Sequence, residues 1–132
     1  MANVYGRLNN GKLNLVAADV AGNYVLTDGS DGMASTLHLQ VAKTSGTIGF
    51  TIKGRSVQKK ARVDDDNIAF QPIPYARLNV AGTVSDFTIV SDAITDSGVF
   101  LVPCSGMDIS LEYTTTNGIV QVYVTPLIGA AA

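Results

Sequence analysis

Asp108-Ile109-Ser110-Leu111-Glu112-Tyr113-Thr114, then Asn117-Gly118, then Ile119-Val120-Gln121-Val122-Tyr123-Val124-Thr125-Pro126, is the stretch that decides the fold. Ile109, Leu111 and Tyr113 alternate with Ser110, Glu112 and Thr114; Val120, Val122 and Val124 alternate with Gln121, Tyr123 and Thr125. Successive side chains of a strand point to opposite faces, so this period puts one apolar row inward and one polar row outward. The Asn-Gly pair between the two runs predicts a type I′ turn and therefore a hairpin.

The same period recurs upstream. Leu37, Leu39 and Val41 oppose His38 and Gln40, while Ile48, Phe50 and Ile52 oppose Thr47, Thr51 and Lys53. Ile68–Asn79, Asp86–Val90 and Val99–Pro103 supply further strands. Pro72 and Pro74 interrupt Phe70–Leu78, which makes that strand an edge, bulged or split in two. Val99-Phe100-Leu101-Val102 is apolar at every position, as expected of a strand buried on both faces or facing another subunit. Small pairs such as Asp28-Gly29, Asp31-Gly32, Ser45-Gly46, Ser97-Gly98 and Ser105-Gly106 mark turns. No stretch sustains a helical period, and Asn14–Gly22 has room for one or two helical turns at most. The expected fold is all-β: a single-domain antiparallel β-sandwich of about eight strands, jelly-roll-like, over residues 1–132. Residues 1–15 and 129–132 are weakly patterned and are expected to form an N-terminal arm and a C-terminal tail.

A chain of 132 residues buries roughly two thirds of its unfolded surface and needs no disulfide or metal to hold a core. Its single cysteine, Cys104, has no partner within the chain. The first ten residues hold no apolar run of signal-peptide length, and no stretch approaches the roughly 20 apolar residues of a membrane span. Synthesis in the cytoplasm and no membrane association are therefore expected. A net charge of −2 argues against nucleic acid as a partner. Charged residues make up only 15% of the chain, against about 25% in ordinary soluble domains. So few charges leave contiguous uncharged surface, and such surface is usually an interface.

Reactive side chains are scarce: one His, one Cys, Glu112 as the single Glu, and no Trp. His38 has no nucleophile, carboxylate or metal-ligand neighbour in sequence, and no Gly-x-Ser-x-Gly elbow is present. Cys104 is flanked by Pro103 and Ser105 without nearby positive charge, as for a buried structural thiol. Asp28-Gly29-Ser30-Asp31-Gly32 lacks the ligand spacing and closing Glu of a calcium loop. No enzymatic activity, cofactor or metal is expected. The segment from Lys53 is unusual: Lys53, Arg55, Lys59, Lys60 and Arg62 are followed at once by Asp64, Asp65 and Asp66. It lacks the interleaved aromatics of a nucleic-acid site. It suits either a solvated loop or a bipolar loop docking to inversely arranged charge.

A Gly- and Thr-rich, Trp-free sandwich with a Gly46-Thr47-Ile48-Gly49-Phe50-Thr51-Ile52 strand and an Asp108–Thr114/Ile119–Pro126 hairpin resembles small structural proteins of tailed bacteriophages. The nearest are capsid decoration, or cement, proteins of jelly-roll type, and the resemblance covers most of residues 36–127. It implies a subunit made in the host cytoplasm and present in many copies on the capsid exterior of the virion. Its partners would be the major capsid protein, whose neighbouring subunits it bridges against internal DNA pressure, and itself, as a dimer or trimer. No catalytic residues carry over. The expected contact residues are Lys53, Arg55, Lys59, Lys60, Arg62, Asp64, Asp65, Asp66, Val99 and Phe100. The alternative is a carbohydrate- or receptor-binding module of a tail or head fibre, using Tyr75 or Tyr123.

Overall fold

The computed structural model describes residues 3–16, 19, 21–26, 34–56, 69–78, 87–90, 92–104, 107–114 and 118–128. Within them lie eleven strands and no helix: β1 (Asn3–Val4), β2 (Lys12–Leu15), β3 (Gly22–Val25), β4 (Ala34–Ser45), β5 (Phe50–Ser56), β6 (Gln71–Pro72), β7 (Tyr75–Leu78), β8 (Phe87–Val90), β9 (Gly98–Pro103), β10 (Met107–Tyr113) and β11 (Ile119–Ile128). They form a back sheet of five strands, ordered β1-β3-β10-β5-β6, and a front sheet of six, ordered β2-β11-β4-β9-β7-β8. Every pairing is antiparallel except β1 with β3. The expected all-β sandwich is what forms.

The alternating rows place the core. Tyr24, Phe50, Ile52, Ile109, Leu111 and Tyr113 from the back sheet share one buried cluster with residues of the front sheet. The latter include Leu13, Leu15, Leu37, Leu39, Phe100, Val102, Val120 and Val122. Tyr113 sits among rings, edge-on to Tyr24 at 6.4 Å and tilted against Phe50 at 5.4 Å. Cys104 is buried in the same cluster.

The pairing departs from the sequence reading in three places. The Asp108–Thr114/Ile119–Pro126 hairpin does not form, because β10 lies between β3 and β5 whereas β11 lies between β2 and β4. Both strands are saturated on both sides, so the chain crosses from sheet to sheet instead of turning back. Residues 115–117 of the expected turn lie outside the described residues. Gly118 serves close approach, not left-handed backbone: a Cβ there would stand 2.6 Å from the Thr47 carbonyl oxygen and 2.6 Å from Ile48 Cγ2. Second, residues 3–15 are not a free arm. Val4 pairs with Tyr24, and β2 pairs with β11 while burying Leu13 and Leu15. Third, the helical turn allowed within Asn14–Gly22 is replaced at its two ends by β2 and β3. Of the three outcomes open for the proline-interrupted run, the split is the one that forms, into β6 of the back sheet and β7 of the front sheet.

β2 is an edge strand, and its outward backbone groups are capped. Lys12 exchanges both backbone hydrogen bonds with Asn9, at 3.0 and 2.9 Å. Arg7 Nη2 donates to the Asn14 carbonyl at 2.9 Å, and the Val16 N–H donates to Asp19 Oδ2 at 2.7 Å. An Arg7–Asp19 ion pair at 3.0 Å ties the two caps together.

Two measurements test this account. Gly118→Ala should destabilise by about 1–3 kcal/mol in urea unfolding, since a backbone carbonyl cannot move aside cheaply. Burial pushes the Asp19 carboxyl up, but hydrogen bonds from Arg7 and the Val16 N–H, with the Arg7 charge, outweigh it and hold the group below its ordinary value. A depressed folded value stabilises above the unfolded pKa of about 3.9 and is lost as pH falls through the folded one. Asp19→Asn should therefore lower the melting temperature at pH 7, with the gap to wild type closing as the pH falls through the lowered folded value.

Candidate docking surface

The outward rows of the two sheets differ in kind. On the back sheet, Arg55 and Asp108 are opposite each other in register, as are Ser110 and Lys53. Asn23, Arg55, Asp108 and Ser110 are nevertheless buried. Arg55 lies 4.3 Å above the Phe70 ring, its Nη2 is 3.3 Å from the Tyr5 hydroxyl, and its Nε is 3.7 Å from Asp108 Oδ2. Lys53 Nζ donates to Glu112 Oε2 at 3.0 Å. The charges of this face are spent on one another beneath an aromatic cover.

Among the described residues, the outward face of the front sheet is almost uncharged. Strand register sets Thr125, His38, Leu101, Ala76 and Ile89 in one row across β11, β4, β9, β7 and β8. A second row runs Lys12, Tyr123, Gln40 and Val99 across β2, β11, β4 and β9. Gln121, Asn14 and Ala42 continue it at one end, and Thr36 and Pro103 pair at the other. No carboxylate stands in either row; Lys12 is the one permanent charge. Ile89 is 69% exposed and Tyr123 38%. Beside Ile89 a shallow groove of about 320 Å³ is lined by Thr36, Pro74, Ala76, Leu101 and Pro103 among others.

Against the residues expected from sequence, Val99 belongs to this face and is half-buried. Phe100 does not: its side chain is 2% exposed and packs edge-on to Tyr75 at 5.7 Å, so it is core. Alternation along β9 sends Val99 and Leu101 out and Phe100 and Val102 in, which an all-apolar run cannot reveal. Arg55 is likewise corrected from a docking charge to a buried structural one, and Lys53 is held by Glu112. Lys59, Lys60, Arg62, Asp64, Asp65 and Asp66 lie outside the described residues, as does the Asp28–Gly32 segment. Tyr75 is 1% exposed, its hydroxyl donating to the Asp92 carbonyl at 2.7 Å, so it offers no sugar platform. Tyr123 is capped by Lys12 Nζ, 5.5 Å from the ring centre.

A depression of about 410 Å³ is lined by Arg77, Asp92, Asp96, Ser97, Val99 and Phe100 among others. Its polar groups are already engaged: Arg77 with Asp92 at 3.2 Å, Asp96 with Lys43 at 3.6 Å, and Ser97 Oγ accepting the Lys43 N–H at 2.9 Å. It reads as a pinned corner. Among the described residues no group of three or more His, Cys, Asp or Glu could hold a metal ion. None of their helices, there being none, is long and apolar enough to cross a membrane. The chain matches no protein-family model, no curated protein and no solved structure.

If Arg55 is structural, Asp108→Ala strands a buried guanidinium and should cost about 3–5 kcal/mol in urea unfolding. Removing the more accessible Lys53–Glu112 pair by Lys53→Ala should cost about 1 kcal/mol or less.

Proposed function

We propose that this protein is a non-catalytic structural subunit that docks onto a repeating protein surface through the outward face of its front sheet. The resemblance of residues 36–127 to capsid decoration proteins makes the exterior of a phage head, and its major capsid protein, the partner of choice. The observation that carries the proposal is the separation of charge between the two outward faces. Ion pairs occupy the back, while two rows from Lys12 to Ile89 on the front carry no carboxylate. A broad neutral face loses little on desolvation, because it has few charges to strip of water. A contact of ordinary size, roughly 1,200–2,000 Å² in total, is reinforced when one subunit spans two neighbours.

The test is addition of the purified protein to expanded heads that lack it, read by co-sedimentation and by the temperature at which heads disrupt. Stoichiometric binding and a raised disruption temperature are expected. Attachment should change less than about threefold between 50 and 500 mM salt, since screening acts on charge and the face has almost none. Gln40→Glu combined with Thr125→Glu adds two carboxylates at exposed positions and should weaken attachment at least tenfold. Folding stability should move by no more than about 0.5 kcal/mol per site. Attachment that ignores this double change but collapses with salt would move the contact to the segment that holds Lys59, Lys60 and Arg62.

A further inference from the structure

His38 is the single histidine of the chain, and it stands in the middle of the front face. Leu37 and Leu39 on either side of it are fully buried, so alternation along β4 sends the imidazole outward, where it is half-buried. Strand register sets Thr125 of β11 on one flank and Leu101 of β9 on the other. Thr36 and Gln40 share its side of β4, and Gln40 lies opposite Tyr123. Tyr123 is the one titratable neighbour in these rows, and its hydroxyl donates to Gln121 Oε1 at 2.9 Å. Lys12, the one permanent charge in the two rows, lies beyond it, 5.5 Å from the Tyr123 ring centre. Among the described residues no carboxylate faces His38 from β4, β11, β9 or β7.

We infer that His38 makes attachment through the front face sensitive to pH: the face docks with the imidazole neutral, and protonation of the imidazole releases it. The inference rests on the docking reading proposed above. Histidine is the side chain whose charge ordinarily changes between pH 5 and 8. On the free subunit, an imidazolium at this half-buried position keeps water on its exposed side. A partner closing over the face removes that water, and burying an unpaired charge is costly. An imidazolium has two N–H donors and no acceptor. Around it this chain offers the neutral oxygens of Thr125, Thr36 and Gln40 and no carboxylate. A neutral imidazole is donor and acceptor at once, and its burial costs far less. Docking therefore favours the neutral form and drives a proton off. By linkage, protons drive the subunit off. Affinity is full at the alkaline end of the range and falls as the pH drops. Because the chain holds no second histidine, one substitution removes its response.

The test compares wild type with His38→Gln in co-sedimentation with heads that lack the protein, at pH 8 and at pH 5. Circular dichroism of the free subunits checks that each keeps one fold at both values. The two should attach equally at pH 8. At pH 5 the wild type should attach about tenfold more weakly, and His38→Gln should stay within about twofold of its value at pH 8. Titration of the head itself is common to both subunits, so the difference between them is what counts. In a second measurement, calorimetry near pH 6.5 in two buffers of unlike ionisation enthalpy should show more protons released when wild type attaches than when His38→Gln does. Equal pH dependence of the two subunits, or equal proton release, overturns the inference. So does tighter attachment at pH 5 by the wild type alone, which would set a carboxylate of the partner against His38. Failure to attach at either pH removes the docking reading and this inference with it, whereas attachment indifferent to pH removes this inference alone.

Discussion

β10 and β11 are each hydrogen-bonded along both sides, β10 to β3 and β5, β11 to β2 and β4, and the rest of the sandwich is arranged around that saturation. Two strands without a free edge cannot pair with each other. The chain between Tyr113 and Ile119 must therefore leave one sheet and enter the other. The crossing brings Gly118 so close to the Thr47 carbonyl that no side chain fits. It also sets Ile109, Leu111 and Tyr113 in the same core as Val120, Val122 and Val124. A short stitch holds the neighbouring end, where Phe50 and Ile94 exchange hydrogen bonds at 3.0 and 2.8 Å.

With charged residues at 15% of the chain, their placement decides what each surface can do. Arg55 and Asp108 sit on the outward side of the back sheet yet are buried, under cover that includes Tyr5 and Phe70. Burying such a pair adds little net stability, because desolvation offsets the attraction, but removing one partner is costly. Its effect is positional: the guanidinium can be accommodated only where Asp108, Tyr5 and Phe70 converge, which fixes the N-terminal segment against β5 and β10. Arg7 and Asp19 do the equivalent at the β2 edge. Charges placed in this way lie off the two outward rows that run from Lys12 to Ile89.

Much of the fold was legible in the sequence, and the limits were physical. Period-two alternation identified β4, β5, β10 and β11, and the prolines at 72 and 74 marked an interrupted run, with a split into two strands as one of three outcomes left open. Strand partners were not legible. Alternation fixes which face a residue takes but not which strand lies beside it, so Asn117-Gly118 suggested a hairpin where the chain changes sheets. β2 and β3 escaped notice because each is four residues long, too short for alternation to stand out, although Leu13 and Leu15 are among the most buried residues. For the proposed docking face, the low charge content was the signal, and Val99 of the apolar run falls on the outward row of β9. Phe100 does not, and a run without polar residues has no phase to read. Arg55 and Lys53 looked like free cations because their partners, Asp108 and Glu112, stand more than fifty residues away in sequence and become neighbours only through the β5–β10 register.

For the docking proposed above, the shape of the front face matters as much as its neutrality. Adjacent strands rotate by roughly 20–25°, so the rows from Lys12 to Ile89 run over a twisted surface and not a flat one. One flat partner would meet only part of such a face. Two neighbouring copies of a partner, set at an angle on a curved surface, would follow it further. Each contact could then be modest, because engagement of one raises the effective concentration of the other at the adjoining site.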